Sequence, residues 1–411
     1  MRARRLAFFL LFWSSSASAE PPALTLSWAL KVAREANPEV RALAAEGAAA
    51  WERVPQARAL EDPSLAVQLW GFPFTRKPGQ GSMVMVQLSQ PLPFPGKRAL
   101  RGEVAAASAR VAGERVRMRQ VDLEAEVKRL YYQLWVNRAS REIGRRNQGL
   151  LEQLRAAALA RVTTSSSTVA DVLRIETEQA RLRAELANIR RDREVIEAAL
   201  NVRLGRAPAA PLGEPVEHFP RPPSSSYAAL VAAAERQRPD LRAAGVEAQR
   251  AERQTALARR SRFPDVTPMV MFMQDIEMGP SWGATLGVTI PVWSGDKQGR
   301  ALREAAQMAI AAQERQRAVR LEIERQVREA RATVESAGER ERLLRAQVMP
   351  RARAALEALR SEYVSGREGL TALLDGRRVL QDLDLELARA RAEAALAQAE
   401  LERAVGGALP P

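Results

Sequence analysis

The chain has 411 residues, a formal charge of +14, one histidine and no cysteine. Without cysteine there are no disulfides, thiol nucleophiles, thiolate metal sites or lipid-modified N-terminal cysteine. Much of the charge is Arg interleaved with Glu along helix-patterned stretches, as at Arg181, Arg183 and Glu185; this describes a solvated, ion-paired helix face, and the lack of interleaved aromatics argues against nucleic acid as a partner.

Arg2, Arg4 and Arg5, the apolar stretch Leu6 to Trp13 and the small-residue site Ala17-Ser18-Ala19 follow in the order of an export signal. Residues 1–19 are therefore expected to be a signal peptide, with the mature chain starting at Glu20. The apolar stretch is shorter than the roughly 20 residues a membrane helix needs, and no later stretch reads as such a helix. If the mature chain crosses a membrane, it must do so as a closed β-barrel.

Leu24 to Ala36 is patterned as a short amphipathic helix stopping near Asn37-Pro38. A second helix, rich in Ala, Arg and Glu, runs from Glu39 to Leu60 and is ended by Glu61-Asp62-Pro63. Two alternating stretches follow, at about 64–72 and 83–90. Leu65, Val67 and Leu69 oppose Ala66, Gln68 and Trp70; Val84, Val86 and Leu88 oppose Met83, Met85, Gln87 and Ser89. Stretches of this length and period suit membrane-barrel strands, with Trp70, Phe72 and Phe74 near strand ends as interfacial aromatics. Pro91 to Arg98 reads as a bend from strand into helix, because proline cannot donate to a sheet ladder and suits a helix start. The helix pattern then holds from Lys97 to about Val162, on the order of 100 Å. Thr163 to Thr168 is a turn, and a returning helix runs from Val169 to Leu204. Leu182, Leu186, Ile189, Ile196 and Leu200 form its near-heptad seam, interrupted by Arg193.

After a linker at 206–226 the pattern repeats. Asn37-Pro38-Glu39-Val40-Arg41-Ala42 returns as Arg238-Pro239-Asp240-Leu241-Arg242-Ala243, Pro63 as Pro264, Pro91 as Pro291, Lys97 as Lys297 and Val127 as Val327. An offset this long marks a duplicated large unit, not a solenoid. The chain divides into repeat 1 (20–205, helical hairpin 97–204), the linker, repeat 2 (227–407, hairpin 297–405) and a tail at 408–411. Repeat 2 has strands at about 266–274 and 282–290, a turn at 275–281, and one helix from Gln298 to Glu362. A turn at Ser365-Gly366 leads to a return from Leu370 to Val405, with Leu380, Leu383 and Leu387 along it. The fold class is mixed and mainly α: two pairs of membrane strands carried on long antiparallel coiled-coil helices.

The exported start, the Asn-Pro element, the paired strands, the Pro93-Phe94-Pro95-Gly96-Lys97-Arg98 bend and the segment Tyr363 to Asp375 together resemble the TolC-like outer-membrane efflux proteins, over Glu20 to Gly407. The bend looks most like members of the heavy-metal branch. The resemblance implies a homotrimer, with a twelve-stranded barrel in outer-membrane lipid continuous with a periplasmic α-helical tunnel. It implies a passive conduit in a tripartite system, docked through its helical tips to a periplasmic adaptor and fed by an inner-membrane transporter of the RND type. Four strands are too few to close a barrel, so the edges have to be removed by oligomerisation; eight or twelve strands would both satisfy this.

By the same resemblance Asp171, Tyr363, Arg367 and Asp375 are the pore and gate candidates. Thr163, Thr164, Ser165, Ser365, Gly366 and Glu368 are the adaptor-docking candidates at the tip. Carboxylate rings at a narrow opening attract cations and repel anions. Two positions depart from the family pattern: Ala372 stands where a second acidic ring is expected, and Glu368 where a linking arginine is expected, with Arg367 one residue earlier. Asp171 and Asp375 equally suit the first turn of a helix, and Tyr363 equally suits a packing role.

No catalytic constellation, cofactor or metal site is legible. His218 sits in the linker facing solvent, and a lone histidine without cysteine makes no metal site. Met83, Met85, Met269, Met271, Met273 and Met278 cluster in or beside the strands; thioethers suit Cu(I), but Met is also an adaptable apolar filler. The alternative class is a periplasmic coiled-coil adaptor or scaffold, which should carry one hairpin flanked by small β domains where this chain carries two hairpins and two strand pairs.

Overall fold

The computed structural model describes residues 23–70, 83–162, 169–221, 223–275, 278–365 and 367–410. The expected signal peptide, the strand residues 71–72, and Thr163, Thr164, Ser165 and Gly366 lie outside these residues.

Each repeat opens on a helix pair: α1 (Leu26–Ala36) and α2 (Pro38–Arg58), then α5 (Tyr227–Gln237) and α6 (Pro239–Arg260). The first pair turns on Asn37. Its Oδ1 accepts from the backbone N–H groups of Glu39 and Val40, capping α2, while its Nδ2 donates to the Arg203 carbonyl. Arg238 makes the corresponding tie in the second pair, donating to the carbonyls of Arg403 and Ala404 and pairing with Asp240. Both repeats thus fasten their opening helices to the end of their returning helix. The structure stops α2 at Arg58, two residues before the expected Leu60, after Pro55 inside the helix has removed a backbone donor.

The strands β1 (Ser64–Trp70), β2 (Met83–Ser89), β3 (Asp265–Asp275) and β4 (Gly279–Thr289) form one antiparallel sheet in the order β1-β2-β3-β4. The second hairpin is tighter than the expected 266–274 and 282–290. Residues Gly279 to Ser281, read as turn, continue the ladder to the pair Asp275↔Gly279, while Ile290 falls outside it. Gly279 adopts φ +84, which a side chain would resist.

The long helices are α3 (Lys97–Val162) and α4 (Val169–Arg203) in the first repeat. In the second they are α7 (Gly299–Leu343), α8 (Met349–Val364) and α9 (Leu370–Val405). The single helix expected from Gln298 to Glu362 is instead divided. A π-helical turn at Ser294–Gln298 precedes α7, and a second at Leu344–Val348 separates α7 from α8. Pro350 lies just beyond this second turn; it can offer no N–H to the preceding turn, and the extra residue of a π turn relieves the misfit. The returning helix α9 also differs from its expected leucine seam. Leu380, Leu383 and Leu387 are half-buried, whereas Ala388, Ala392, Ala395 and Ala399 are buried.

The main core joins both repeats. Leu123, Val127, Tyr131, Tyr132 and Trp135 of α3 pack with α1, with Leu200 and Leu204, with Leu212 of the linker, and with Ala388, Ala392 and Ala395 of α9. The linker is fixed there: across a short parallel bridge the Leu24 N–H donates to the Glu214 carbonyl and the Val216 N–H to the Leu24 carbonyl, and Tyr131 Oη donates to the Val216 carbonyl. His218 is exposed.

Candidate channel wall and tunnel tip

Strand alternation and the observed register divide the sheet into two faces. Leu65, Leu88, Val270 and Ala284 lie in one row across all four strands, and Val67, Val86, Phe272 and Trp282 in the next. This face is apolar except at its end; Val84, Val86, Val266 and Phe272 are half-buried, and its other large side chains are open, from Val288 at 48% to Trp282 at 76% exposed. The opposite face carries Ser64, Gln68, Gln87, Ser89, Thr267, Thr285 and Thr289, the glycines Gly283 and Gly287, and five methionines. Met85 stands directly opposite Met273. Met271 lies over Gly283, where an added Cβ would come within 3.0 Å of its Cγ, and Gln87 Nε2 donates to Met269 Sδ at 3.0 Å. The thioethers therefore cover the smallest residues of β4, a filler role that their flexibility suits.

Where the first repeat leaves the sheet, the chain is locked onto the second. Leu92 and Val266 exchange backbone hydrogen bonds at 2.7 and 3.0 Å. The Phe94 N–H donates to Asp265 Oδ1 at 2.7 Å, and the Phe94 ring stacks on Phe263 at 4.6 Å. Gly96, at φ +91, turns the chain into α3. Lys97, 5% exposed, then places its ammonium on Asp265 Oδ1 at 2.7 Å and on the Phe263 carbonyl at 2.9 Å.

At the far end of the helices, Leu151, Ala158, Val172, Ile175, Leu182 and Leu370 form a separate apolar cluster bridging the two hairpins, with Tyr363 and Leu374 packed against it. Asp171 sits half-buried in the first turn of α4, and Asp375 is exposed on α9. Arg367 is exposed, and its Nε donates to Ser365 Oγ at 3.1 Å within its own turn; its backbone N–H and that of Glu368 both point to the Glu362 carbonyl. The structure thus brings Tyr363 into the inter-hairpin packing, joins Arg367 to Ser365, and leaves Asp375 and Glu368 at the surface.

Polar links between the hairpins come from residues the sequence analysis did not single out. Arg174 Nη1 donates to Thr371 Oγ1 at 2.7 Å, and Arg378 Nη2 to Glu178 Oε1 at 2.6 Å. Next to Arg378, Arg377 is buried with Nη2 on the Asn147 carbonyl at 3.2 Å; burial pulls its pKa down, with Glu178 opposing that shift. Glu178 and Arg378 occupy corresponding places in the two repeats with opposite charge, a signal that was present in the sequence.

A family model described as outer membrane efflux protein matches residues 29–206 and 230–407, one segment per repeat. The chain belongs to the outer membrane efflux protein family. The solved outer-membrane channel OprN superposes with TM-score 0.77 at 20% identity, covering 94% of this chain and 91% of its own. CusC gives 0.80 at 17% identity, covering 93% and 92%. The Vibrio cholerae outer membrane protein VceC gives 0.76 at 16%, covering 94% and 97%. No curated protein sequence matches the chain. The efflux family and the TolC-like fold make this protein an outer-membrane channel component of a tripartite efflux system, with its helices extending into the periplasm. Among the described residues no helix is long and apolar enough to cross a membrane.

Proposed function

We propose that three copies of this chain close a single barrel, each contributing its four strands, and that the barrel continues into a tunnel of paired helical hairpins through which substrates pass passively. The observation that carries this is the sheet itself. It is open at β1 and β4, and one of its faces is an exposed apolar band. Unpaired edges are not tolerated in lipid, so the sheet must close with other copies. The apolar band then faces lipid, and the face of Gln, Thr, Ser and Met lines the lumen. The tips, with Ser365 and Glu368 at their surface, dock a periplasmic adaptor that links the channel to an inner-membrane pump of the RND type. Asp171, Tyr363, Arg367 and Asp375 act at the narrow end.

The protein purified in detergent should run as a heat-dissociable trimer and conduct ions in planar bilayers. A monomer soluble without detergent and silent in bilayers overturns the assignment. Asp375→Ala should reduce cation preference or cation block in single-channel recordings; unchanged selectivity removes Asp375 from the pore.

A further inference from the structure

The two bends that lead from strand to helix are built from the same repeat yet stand in different states. In the first, Lys97 is buried against Asp265 and Phe263, and Leu92 is bridged to Val266. In the second, Val292 is 77% exposed, Trp293 is 74% exposed and Lys297 is exposed. The element that the first bend rests on is the start of β3. Its counterpart in the repeat is the start of β1, and that too is open: Glu61, Asp62 and Ser64 are exposed, and Leu65 is 68% exposed. One bend therefore lacks a support and one support lacks a bend, and they lie on the two opposite free edges of the sheet.

A rotationally symmetric ring closes only if β4 of each copy meets β1 of the next. We propose that this junction copies the one between β2 and β3, so that the second bend is completed by the neighbouring subunit and Lys297 docks on Asp62 of the partner subunit. The proposal rests on the oligomeric barrel described above and adds its register. The second strand and bend recur 200 residues on, from Pro91 to Pro291 and Lys97 to Lys297, and the start of β1 lies 201 residues before that of β3, from Pro63 to Pro264. The observed pairs Leu92↔Val266 and Ser89↔Met269 then become Val292 with Leu65 of the partner subunit and Thr289 with Gln68 of the partner subunit.

Side-chain chemistry supports this register. It sets Val288, Ile290 and Val292 against Leu69, Val67 and Leu65 of the partner subunit, apolar on apolar, and Thr289 against Gln68, polar on polar. A slip of one residue would turn one strand's apolar set onto the other face. The clamp residues change together as well. Phe94 and Phe263, which stack in the first junction, are replaced by Ser294 and Asp62, a polar pair. Asp265 is replaced by Ser64, and the carboxylate moves two residues, to Asp62. The Lys297 ammonium has no ion-pair partner among the described residues, and Asp62 supplies the opposite charge.

Because the chain has no cysteine, the register can be read by disulfide trapping. The pairs Gln90↔Pro268 and Leu92↔Val266 carry the ladder hydrogen bonds, so Thr289 and Gln68 occupy a non-hydrogen-bonded pair, the closer kind and within disulfide reach. The double variant Thr289→Cys with Gln68→Cys, purified in detergent and mildly oxidised, should give a ladder of linked subunits on non-reducing denaturing gels. Either single variant should give none, and pairing Thr289→Cys with Ala66→Cys or Trp70→Cys should give far less. Lys297→Glu and Asp62→Lys should each lower the temperature at which the oligomer dissociates, and the double reversal should recover it. An intact, conducting oligomer that cross-links preferentially at Ala66 or Trp70, or shows no recovery on reversal, overturns this junction and leaves the channel assignment standing. Failure of the unaltered protein to form any oligomer or conductance overturns both.

Discussion

The two repeats agree up to one point along their outgoing helices and then part. Leu123 and Val127 of α3 are fully buried, and so, to within 1%, are their counterparts Ile323 and Val327 of α7. Beyond these, Tyr131, Tyr132 and Trp135 correspond to Arg331, Ala332 and Glu335. The aromatic set in the first repeat is buried beneath the linker: Tyr132 stacks with Phe219 at 6.0 Å, and Trp135 meets the same ring edge-on at 4.7 Å. In the second repeat Arg331 and Glu335 pair with each other at 2.8 Å on the surface, and α7 and α9 border an open groove of 930 Å³ that includes Ala332. Duplication supplied two similar units but only one linker. Beyond Val127 the helix that the linker covers carries an aromatic core, whereas the matching stretch of α7 sets Arg331 and Glu335 at the surface.

The largest effect should come from emptying the covered side. Tyr132 is 2% exposed, and Tyr132→Ala should destabilise the protein by about 3–5 kcal/mol through lost burial and the cavity left behind. The reciprocal change at the exposed counterpart, Ala332→Tyr, should stay within about 0.5 kcal/mol. Chemical denaturation of the detergent-solubilised protein measures both, and equal effects would deny that the linker makes the difference.

A second contrast lies in helix continuity. α3 runs unbroken for 66 residues, while its counterpart is broken at Leu344–Val348 ahead of Pro350. Leu150 stands at the corresponding place in α3 and is 45% exposed, so Leu150→Pro acts mainly on the backbone and should cost about 3 kcal/mol. Pro350→Leu should let an unbroken α-helix run through 344–348 without loss of stability. Hydrogen exchange at these amides and a structure of the variant would show it; a π turn that survives the change owes its existence to packing and not to proline.

The linker's grip should also be visible in pH dependence. Glu214 takes Arg141 and Arg193 on one carboxylate oxygen, Arg141 at 2.6 Å. Burial works to raise its pKa, but the two guanidinium groups outweigh burial and hold it below the ordinary carboxylate value. A depressed pKa gives stability that is present above the unfolded value, about 4.3, and is lost as pH falls through the folded value. With 43% of the side chain exposed, screening limits the contribution to about 1 kcal/mol or less. Glu214→Gln should therefore lower the melting temperature at neutral pH, and the gap from the unaltered protein should close below about pH 4. A gap that persists in acid would assign the effect to packing.

Much of the architecture was legible because it is periodic. Two-residue alternation marked the four strands, and the return of Pro63, Pro91 and Lys97 marked the duplication. What escaped depends on how elements are rotated against one another. The apolar and charged pattern continues across Pro350; the proline signals a break, but nothing local announces that the break takes the form of a widened turn. The leucines of α9 suggest a seam, yet the contact with α3 falls on Ala388, Ala392 and Ala395, because small residues allow close approach. At the tip, Asp171, Tyr363 and Asp375 stood out by resemblance, whereas Glu178 and Arg378 looked like any other solvated charges. Only the packing of α4 beside α9 makes them partners.

That pair gives the smallest of the expected effects. Glu178 and Arg378 meet at 2.6 Å, with side chains 25% and 51% exposed, and an exposed pair contributes about 0.2–1 kcal/mol. Arg378→Glu should weaken the join between the two hairpins by about that amount, since it sets a carboxylate beside Glu178. Glu178→Arg should act likewise, and the two reversals together should restore the join, because the charges are exchanged between corresponding places of the repeats. Hydrogen exchange in α4 and α9 near the tip, read as a double-mutant cycle, isolates the pair from global unfolding. Additive effects without recovery would mean that the apolar cluster around Ile175 and Leu370 holds the hairpins together by itself, leaving this ion pair a passenger on their packing.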